Sequence, residues 1–178
     1  MMDDAVIAFA QGEGRNALTG TGIKQMQGIL DSSAGVTQIN GPGSSTIDLD
    51  AVINLESNLK VGYDSTYFFN KKTRNFLRTQ KDSNGNYLWK MEGINQPLTL
   101  NDVPYVVFQD MPDIATDALC VGIGDFFKGY KILDAIGMEI VRDEVTEAKK
   151  AKILYTWYRY LTGNVVLSEA FKLLKAVA

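Results

Sequence analysis

Two clusters of acidic side chains are the first candidates for chemistry in this chain: Asp48 with Asp50, and Asp143 with Glu144 and Glu147. Paired carboxylates can serve as the acid and base of a glycosidase or hold a metal ion through oxygen ligands. Neither cluster has the alternating Asp/Asn pattern and the glycine of a calcium-binding loop. Three lysines, at positions 149, 150 and 152, lie beside the second cluster. This spacing favours a solvated turn of mixed charge over a catalytic or metal-binding site.

The chain has no histidine and a single cysteine, Cys120. Without histidine, the Ser/His/Asp triad, the Cys/His dyad and every histidine-containing zinc site are excluded. One cysteine cannot form a disulfide within the chain or a multi-cysteine metal site. Since Cys120 stands between Leu119 and Val121, we expect a buried, unreactive thiol that packs as a small hydrophobic residue.

A glycine-rich stretch, 11–22, raises the question of phosphate binding through backbone N–H groups at a helix start. A P-loop has four residues between its glycines, followed by Lys and Ser/Thr, whereas Gly14 and Gly20 have five residues between them. The dinucleotide-binding pattern also fails, because Ala17 stands where its third glycine belongs. We therefore expect 11–22 to be a flexible loop that binds no nucleotide.

Lys71, Lys72 and Arg74 form the tightest basic cluster, and aromatic residues lie close to it in the sequence. Interleaved basic and aromatic residues can bind single-stranded nucleic acid, but on a helix they more often form a solvated face opposite a buried one. The whole chain has 18 basic and 21 acidic side chains, a net charge of −3, which is atypical of basic nucleic-acid-binding proteins. No apolar stretch approaches the ~20 residues that span a bilayer, and the N-terminus lacks the basic start of a signal peptide. We therefore expect an ordinary soluble domain.

The elements that must position these residues begin with two helices. Asp3–Ala10 predicts a short helix with acidic residues at its start, where the helix dipole favours negative charge. Ser45 and Asp48 have the spacing of a capping box, and the apolar residues that follow have helical spacing. Together they predict a helix from about 48 to 63.

A strand, a helix and a turn are predicted next. Thr66–Phe69 is rich in β-prone residues, and Asn70 is a good N-cap for a helix that continues to about Lys81. The Asn-Gly pair inside 82–86 readily adopts left-handed backbone angles, which predicts a tight turn.

Beyond Tyr87 the chain becomes mostly β-prone, with predicted strands at 103–108, 119–123, 130–133 and 138–141. The run 149–161 fits either a helix or a strand, and its density of tyrosine and tryptophan favours the strand. Both faces of that strand would carry large side chains, so we expect cover from both sides, one of them supplied by another chain. The candidate subunit-interface residues are Tyr155, Trp157, Tyr158, Arg159 and Tyr160.

Several segments, in order, resemble the tailed-phage major capsid proteins of the Hong Kong 97 fold. The resemblance rests on Lys81–Trp89, Gln96–Leu100, Val103–Val107, Asp110–Pro112, Gly124–Phe126, Gly129–Ile132, Asp134, Gly137, Ile140, Arg142, Asp143, Thr146, Gly163, Val165 and Ala170–Lys175. Upstream, Gly12–Gly14 and Gly28–Leu30 resemble the two halves of the family's glycine loop, with residues inserted between them. Gln80, Asn86 and Ala135 depart from the family pattern, which leaves local contacts open at these positions.

The resemblance implies an α+β fold with an axial domain and part of a peripheral domain. Residues 1–11 would be the end of a spine helix, 12–145 the axial domain with the glycine loop, and 146–178 peripheral-domain strands and the C-terminus. It also implies a structural subunit of an icosahedral head, arranged as pentamers and hexamers around packaged double-stranded DNA. Its partners would be further copies of itself, and the protease, scaffold or portal of the head. The protein would be made in the bacterial cytoplasm and reside in the virion, without enzymatic activity, cofactor, metal, membrane or sequence-specific nucleic acid.

The family's N-terminal arm, extended loop and most of the spine helix have no counterpart in the sequence. We therefore expect a truncated, prophage-like form that folds, is monomeric or weakly oligomeric, and does not close shells unaided. Two readings from other classes stay open. A carbohydrate or small-ligand binding module could use exposed tyrosine and tryptophan as stacking platforms, and an enzyme could rely on carboxylates alone, although no acidic pair has a telling spacing.

Overall fold

A mixed six-stranded sheet forms the centre of the computed structural model, which describes residues 2–43, 47–89, 99–150 and 153–177. The helices are α1 (Met2–Thr19), α2 (Leu49–Ser57), α3 (Lys71–Thr79) and α4 (Phe126–Gly129). The strands are β1 (Thr37–Asn40), β2 (Thr66–Phe69), β3 (Thr99–Leu100), β4 (Val103–Val107), β5 (Leu119–Gly124), β6 (Tyr130–Asp143), β7 (Leu154–Val165) and β8 (Phe171–Lys175). The large sheet has the order β1-β8-β5-β2-β4-β3, and β6 pairs with β7 in a separate two-stranded sheet.

Strand β2 lies in the interior of the large sheet and confirms the strand predicted at Thr66–Phe69. Successive side chains of a strand point to opposite faces. Tyr67 and Phe69 therefore pack on the face that α2 covers, while Phe68 packs on the other face. All three rings are fully buried, so the sheet has a hydrophobic core on each side.

Glycine in β5 makes room for an aromatic side chain of its neighbour. Gly122 lies directly opposite Phe68 in the antiparallel β2–β5 pair, and a Cβ atom at Gly122 would overlap the Phe68 ring. The bare backbone therefore lets the end of the ring approach β5 closely. From there Phe68 contacts Phe126 edge to face, with ring centres 5.1 Å apart.

The Gly124-Asp125-Phe126 segment links the sheet to α4. A Cβ at Gly124 would overlap the ring of Phe171, which lies 5.4 Å from the ring of Phe126. Asp125 is buried, and its Oδ1 accepts the N–H of Lys128 at 3.1 Å, which caps the short helix. Burial alone would raise the pKa of Asp125. Hydrogen bonds from backbone N–H groups, such as that of Lys128, outweigh burial and hold its pKa below the usual value.

Helix α2 is shorter than predicted, because it ends at Ser57 instead of continuing to about residue 63. Gly62 has a φ of 105°, a positive angle that a right-handed helix continuing to residue 63 could not contain. Ser45, half of the predicted capping box, lies outside the described residues. Asp48 precedes the helix without a side-chain capping bond, and Gln80 Oε1 instead accepts the Leu49 N–H at 2.9 Å.

Helix α3 confirms the prediction of a helix capped by Asn70, whose side chain accepts the N–H of Thr73 at 2.7 Å. The predicted turn at 82–86 is also present. Asp82 Oδ1 accepts the N–H groups of Asn84 and Asn86, each at 2.8 Å, and Gly85 has a φ of 83°.

Helix α1 is longer than predicted, and the expected loop from residue 11 is wrong because the helix continues to Thr19. Gly12 and Gly14 therefore lie inside a helix, where each costs roughly 1 kcal/mol relative to alanine. Burial of Leu18 against Met26 and Ile29 anchors the end of the helix and outweighs this local preference.

Of the glycines in the sequence resemblance, only Gly28 closes the tight glycine loop, and its partner there is Gly20. The Gly28 N–H donates to the Gly20 carbonyl at 2.8 Å, so the two backbones touch. A Cβ on Gly20 would collide with the Met26 carbonyl, and one on Gly28 with the Leu18 carbonyl. The loop is therefore closed by Gly20 and Gly28, while Gly12 and Gly14 belong to α1.

Strands β6 and β7 form a long antiparallel pair, which we call the ribbon. Its register runs from Tyr130 opposite Val165 to Asp143 opposite Leu154. The strand predicted within 149–161 is confirmed as β7. The two short strands predicted at 130–133 and 138–141 are one continuous strand, with register shifts in the residues between them.

Strand pairing crosses the predicted domain boundary at residue 145 in both sheets. Strand β8, from the segment after the boundary, lies between β1 and β5 in the large sheet. Strand β6, from the segment before it, pairs with β7 in the ribbon. Each of the two sheets therefore contains strands from both sides of residue 145.

Candidate assembly surface

The base of the ribbon is fixed to the glycine loop. Tyr130 donates its hydroxyl to the Gln27 carbonyl at 2.8 Å, and the Gln27 N–H donates to the Gly163 carbonyl at 2.9 Å. A Cβ at Gly163 would crowd the Tyr130 hydroxyl and the end of Met26. Burial raises the pKa of Tyr130 to about 12, so its hydroxyl stays a donor at neutral pH. The ribbon therefore leaves the body of the molecule in a defined direction.

The structure places all five candidate interface residues on β7, beyond this fixed base. Tyr155 and Tyr160 have 49% and 58% of their surfaces exposed, and Trp157, Tyr158 and Arg159 are partly exposed. The chain itself thus supplies only part of the cover expected on both sides of the strand. Within the described residues, no further strand pairs with either edge of the ribbon.

Arg159 binds within its own chain. Its Nη1 donates to Glu13 Oε1 at 2.6 Å, and its Nε donates to Asp134 Oδ2 at 3.1 Å. The hydrogen bond with Asp134 is the main cause that raises the pKa of Arg159 further. This side chain therefore ties α1 to both strands of the ribbon and acts as a brace within the subunit.

Tyr158 and Tyr160 lie on the opposite face of β7 from Arg159. Their ring centres are 5.8 Å apart in an edge-to-face arrangement. The Tyr158 hydroxyl donates to Glu139 on β6, and this hydrogen bond raises the pKa of Tyr158. These contacts orient the rings, while Tyr160 remains mostly open to solvent.

The sequence analysis missed the contribution of β6 to this surface. Its exposed apolar residues are Ile132, Leu133, Met138, Ile140 and Val141. The apolar pattern breaks between Asp134 and Gly137, so the sequence predicts two short strands where the structure has one continuous strand. A two-stranded sheet is marginally stable by itself, and both strands of this one leave apolar side chains exposed.

The acidic cluster at the end of β6 forms a turn of mixed charge. Asp143 Oδ1 accepts the N–H groups of Val145 and Thr146 at 2.8 and 3.1 Å, and hydrogen bonding from the Thr146 hydroxyl lowers the pKa of Asp143. Glu144 pairs with Arg142 at 2.6 Å. In the described residues, no group of three or more cysteine or carboxylate side chains is arranged to hold a metal ion.

Cys120 is fully buried, as the sequence predicts, and burial raises the pKa of its thiol to about 11. The glycine-rich stretch 11–22 provides the end of α1 and part of the glycine loop. None of the helices in the described ranges combines the length and the apolar character needed to cross a membrane.

Comparison with known proteins gives one family and several similar structures. The model of the phage capsid family matches residues 1–176. The capsid of an empty GTA particle has a TM-score of 0.86 at 25% identity over 99% of this chain and 65% of that chain. The capsid of a native GTA particle has a TM-score of 0.87 at 25% identity, with 99% and 64% covered.

More distant structures share the fold. The SrpI encapsulin of Synechococcus elongatus has a TM-score of 0.68 at 13% identity over 99% of this chain and 64% of that chain. No curated protein sequence matches the chain. The chain thus spans just under two thirds of the length of the GTA capsid chains. These similarities confirm the α+β fold of the Hong Kong 97 type that the sequence predicts.

Proposed function

The chain belongs to the phage capsid family, and we propose that it is a structural subunit of an icosahedral phage head that encloses double-stranded DNA. The observation that carries this proposal is the family match over residues 1–176 together with a TM-score of 0.86 to a capsid chain over 99% of this chain. Its place is the virion, and its partners are further copies of itself in pentamers and hexamers.

The arrangement of the two sheets supports different roles for them in the subunit. The large sheet has a hydrophobic core on each face and is the stable body of the subunit. The ribbon and the first half of α1 expose apolar residues and lie outside that body. We assign the large sheet to the axial domain, and α1 with the ribbon to the peripheral domain. The axial domain then includes β8, and the peripheral domain includes β6.

The proposed work of the chain is geometric, and the proposal includes no enzymatic activity. The lone thiol is buried, and the carboxylates at the end of β6 are engaged in a turn. No observation favours the alternative of a carbohydrate or small-ligand module, whereas the family match favours a capsid subunit.

The experiment is quantitative mass spectrometry of nuclease-resistant particles from cells that carry the gene. Particles are purified on a density gradient, and peptides of this chain are counted against those of every other protein present. We expect this chain to be among the most abundant proteins and to co-sediment with protected DNA. Particles that contain protected DNA but no peptide of this chain would contradict the proposal.

A further inference from the structure

A row of cations lies along one side of α3. Lys71, Arg74 and Arg78 are spaced by three and four residues, which places them on one side of the helix. The sequence from Ser65 to Lys81 contains no acidic residue. We call these three residues the basic row.

The basic row has no carboxylate partner in the described part of the chain, where the ion pairs involve other cations. The Nε atoms of Arg74 and Arg78 are buried and make no hydrogen bond. Arg78 is nevertheless held in place, because its Nη2 donates to the Tyr105 hydroxyl at 2.9 Å and its guanidinium lies 5.1 Å from the Trp89 ring centre. Within the described residues, Arg78 thus donates to a neutral hydroxyl and none of the three cations pairs with a carboxylate. The positive charge of the basic row is therefore available to an anionic partner.

The other side of α3 borders an acidic cleft. Thr73 and Leu77 are the residues that α3 buries against the body. Each step along an α-helix turns by about 100°. The two arginines each lie one step after a buried residue, and Phe76 lies one step before a buried residue. Phe76 and the basic row therefore lie on opposite flanks of the buried face. The cleft on the Phe76 side has a volume of about 420 Å³. It is lined by Asp48, Leu49, Asp50, Phe76, Gln80, Lys81 and Leu88.

Two carboxylates of this cleft are available to a cation. Asp48 and Asp50 are exposed, and neither is in a salt bridge within the described ranges. Gln80 fixes the start of α2 by accepting the Leu49 N–H at 2.9 Å, which sets the position of both carboxylates. Phe76 and Leu88 are 38% and 50% exposed and give the cleft an apolar wall.

We propose that a second copy of this chain docks head to tail, with the basic row of one copy against Asp48 and Asp50 of the next. The two surfaces have opposite charge and lie on opposite flanks of one helix. Each copy therefore keeps one surface free for another neighbour, and such a contact closes into a ring when its rotation closes. This inference rests on the proposed function and assigns residues to the contact between neighbouring subunits.

The charges of the chain favour a protein partner over nucleic acid. The basic row has three cations beside a cleft that is lined by two carboxylates and one lysine, Lys81, and the chain as a whole has a net charge of −3. Tight binding to a phosphate backbone needs many neutralising cations. A second copy supplies the opposite charge without any change to the fold.

Charge reversal tests the contact. Arg74→Glu, Asp50→Lys and the double variant are compared with the unaltered chain by sedimentation velocity over a range of concentrations at low salt. Lys24→Glu, a reversal at an exposed lysine outside the ribbon and α3, is the matched control. Arg78 is left unchanged because its packing against Trp89 and Tyr105 also stabilises the body. Urea unfolding of each variant establishes that it is folded.

We expect each single reversal to weaken self-association about tenfold or more, because like charges then face each other. The double variant restores association, since glutamate then faces lysine, and the control leaves it unchanged. Added salt weakens association of the unaltered chain. A chain that stays monomeric at every concentration, or a double variant no better than the singles, would overturn the inference. So would binding to duplex DNA that Arg74→Glu abolishes and Asp50→Lys does not change. Any of these results leaves the proposed function standing if the chain is present in particles.

Discussion

The Arg159 guanidinium on β7 donates to the Glu13 carboxylate on α1 at 2.6 Å, across 146 positions of sequence. Both side chains are about one quarter exposed. Asp134 on β6 accepts from the same guanidinium at 3.1 Å, so one side chain joins the helix and both strands of the ribbon. Arg159 therefore helps to set the direction of α1 relative to the ribbon, beyond the end of the helix that Leu18 anchors.

Loss of this brace should release α1 without unfolding the body. Arg159→Met removes the contact that holds α1 on the ribbon. We therefore expect the backbone amides of residues 5–12 to exchange hydrogen faster. Amides of β2 and β5, in the large sheet, should exchange at their original rates. Hydrogen–deuterium exchange with mass spectrometry measures both. Arg142→Met, which breaks the exposed pair with Glu144, is the control and should leave α1 unchanged.

Gly122 should tolerate no side chain, whereas Gly137 should. A Cβ at Gly122 would overlap the buried Phe68 ring, and one at Gly137 meets nothing within 4 Å. We expect Gly122→Ala to lower the free energy of unfolding by about 1–3 kcal/mol, because the core must shift to relieve the overlap. Gly137→Ala should change it by about 0.5 kcal/mol or less. Urea denaturation of both variants measures the difference, and equal effects would contradict this account of β5.

Local signals explain which elements the sequence predicted. Three aromatic residues in Thr66–Phe69 need two apolar faces, and Asn70 caps the next helix through its own side chain. Both signals lie within a few residues of the structure they specify. For the same reason, the turn at 82–86 could be predicted from its Asn-Gly pair.

Long-range contacts explain the errors. Burial of Leu18 carries α1 past Gly12 and Gly14, and its contacts with Met26 and Ile29 cannot be read from helical propensity. Pairing with β7 makes β6 one strand through a stretch whose local pattern predicts a break.

The candidate interface depends on both local signals and long-range contacts. The density of tyrosine and tryptophan identified β7 as a strand with too little cover. The role of Arg159 depends on Glu13, 146 positions away, and no local pattern connects the two. The sequence therefore predicted the strand and its exposed rings, but not that Arg159 binds within the subunit.

Cys120 should stay unreactive until the chain unfolds. Burial raises its pKa from 9.0 to about 11, so the thiol is protonated at pH 8. A thiol-specific reagent such as DTNB should react only after addition of guanidinium chloride. Rapid reaction of the folded chain at pH 8 would contradict the buried position.

The same pKa shift predicts how stability depends on pH. The folded pKa lies above the unfolded one, so the contribution of Cys120 is fully present below about pH 9 and is lost as the pH rises towards 11. Tyr130, whose pKa burial raises to about 12, extends the loss to higher pH. Melting temperatures between pH 7 and 10.5 should therefore fall, and those of Cys120→Ala should fall less. Identical pH profiles for the two chains would contradict this assignment.

The ribbon should bind apolar dyes through its exposed tyrosines. Tyr160 is 58% exposed on the ribbon, and Tyr87, which lies away from it, is 52% exposed. We expect Tyr160→Ser to reduce fluorescence of the dye ANS and light scattering of the purified chain, because it removes apolar surface from a continuous patch. Tyr87→Ser removes the same side chain from a position outside the ribbon, beside Lys81, and should change both signals less. Each substitution should lower the free energy of unfolding by about 1 kcal/mol or less, since each side chain is at the surface and loses one ring contact, with Tyr158 or with Lys81. If the unaltered chain binds dye and scatters light like an ordinary compact monomer, the ribbon needs no partner and its proposed role in assembly fails.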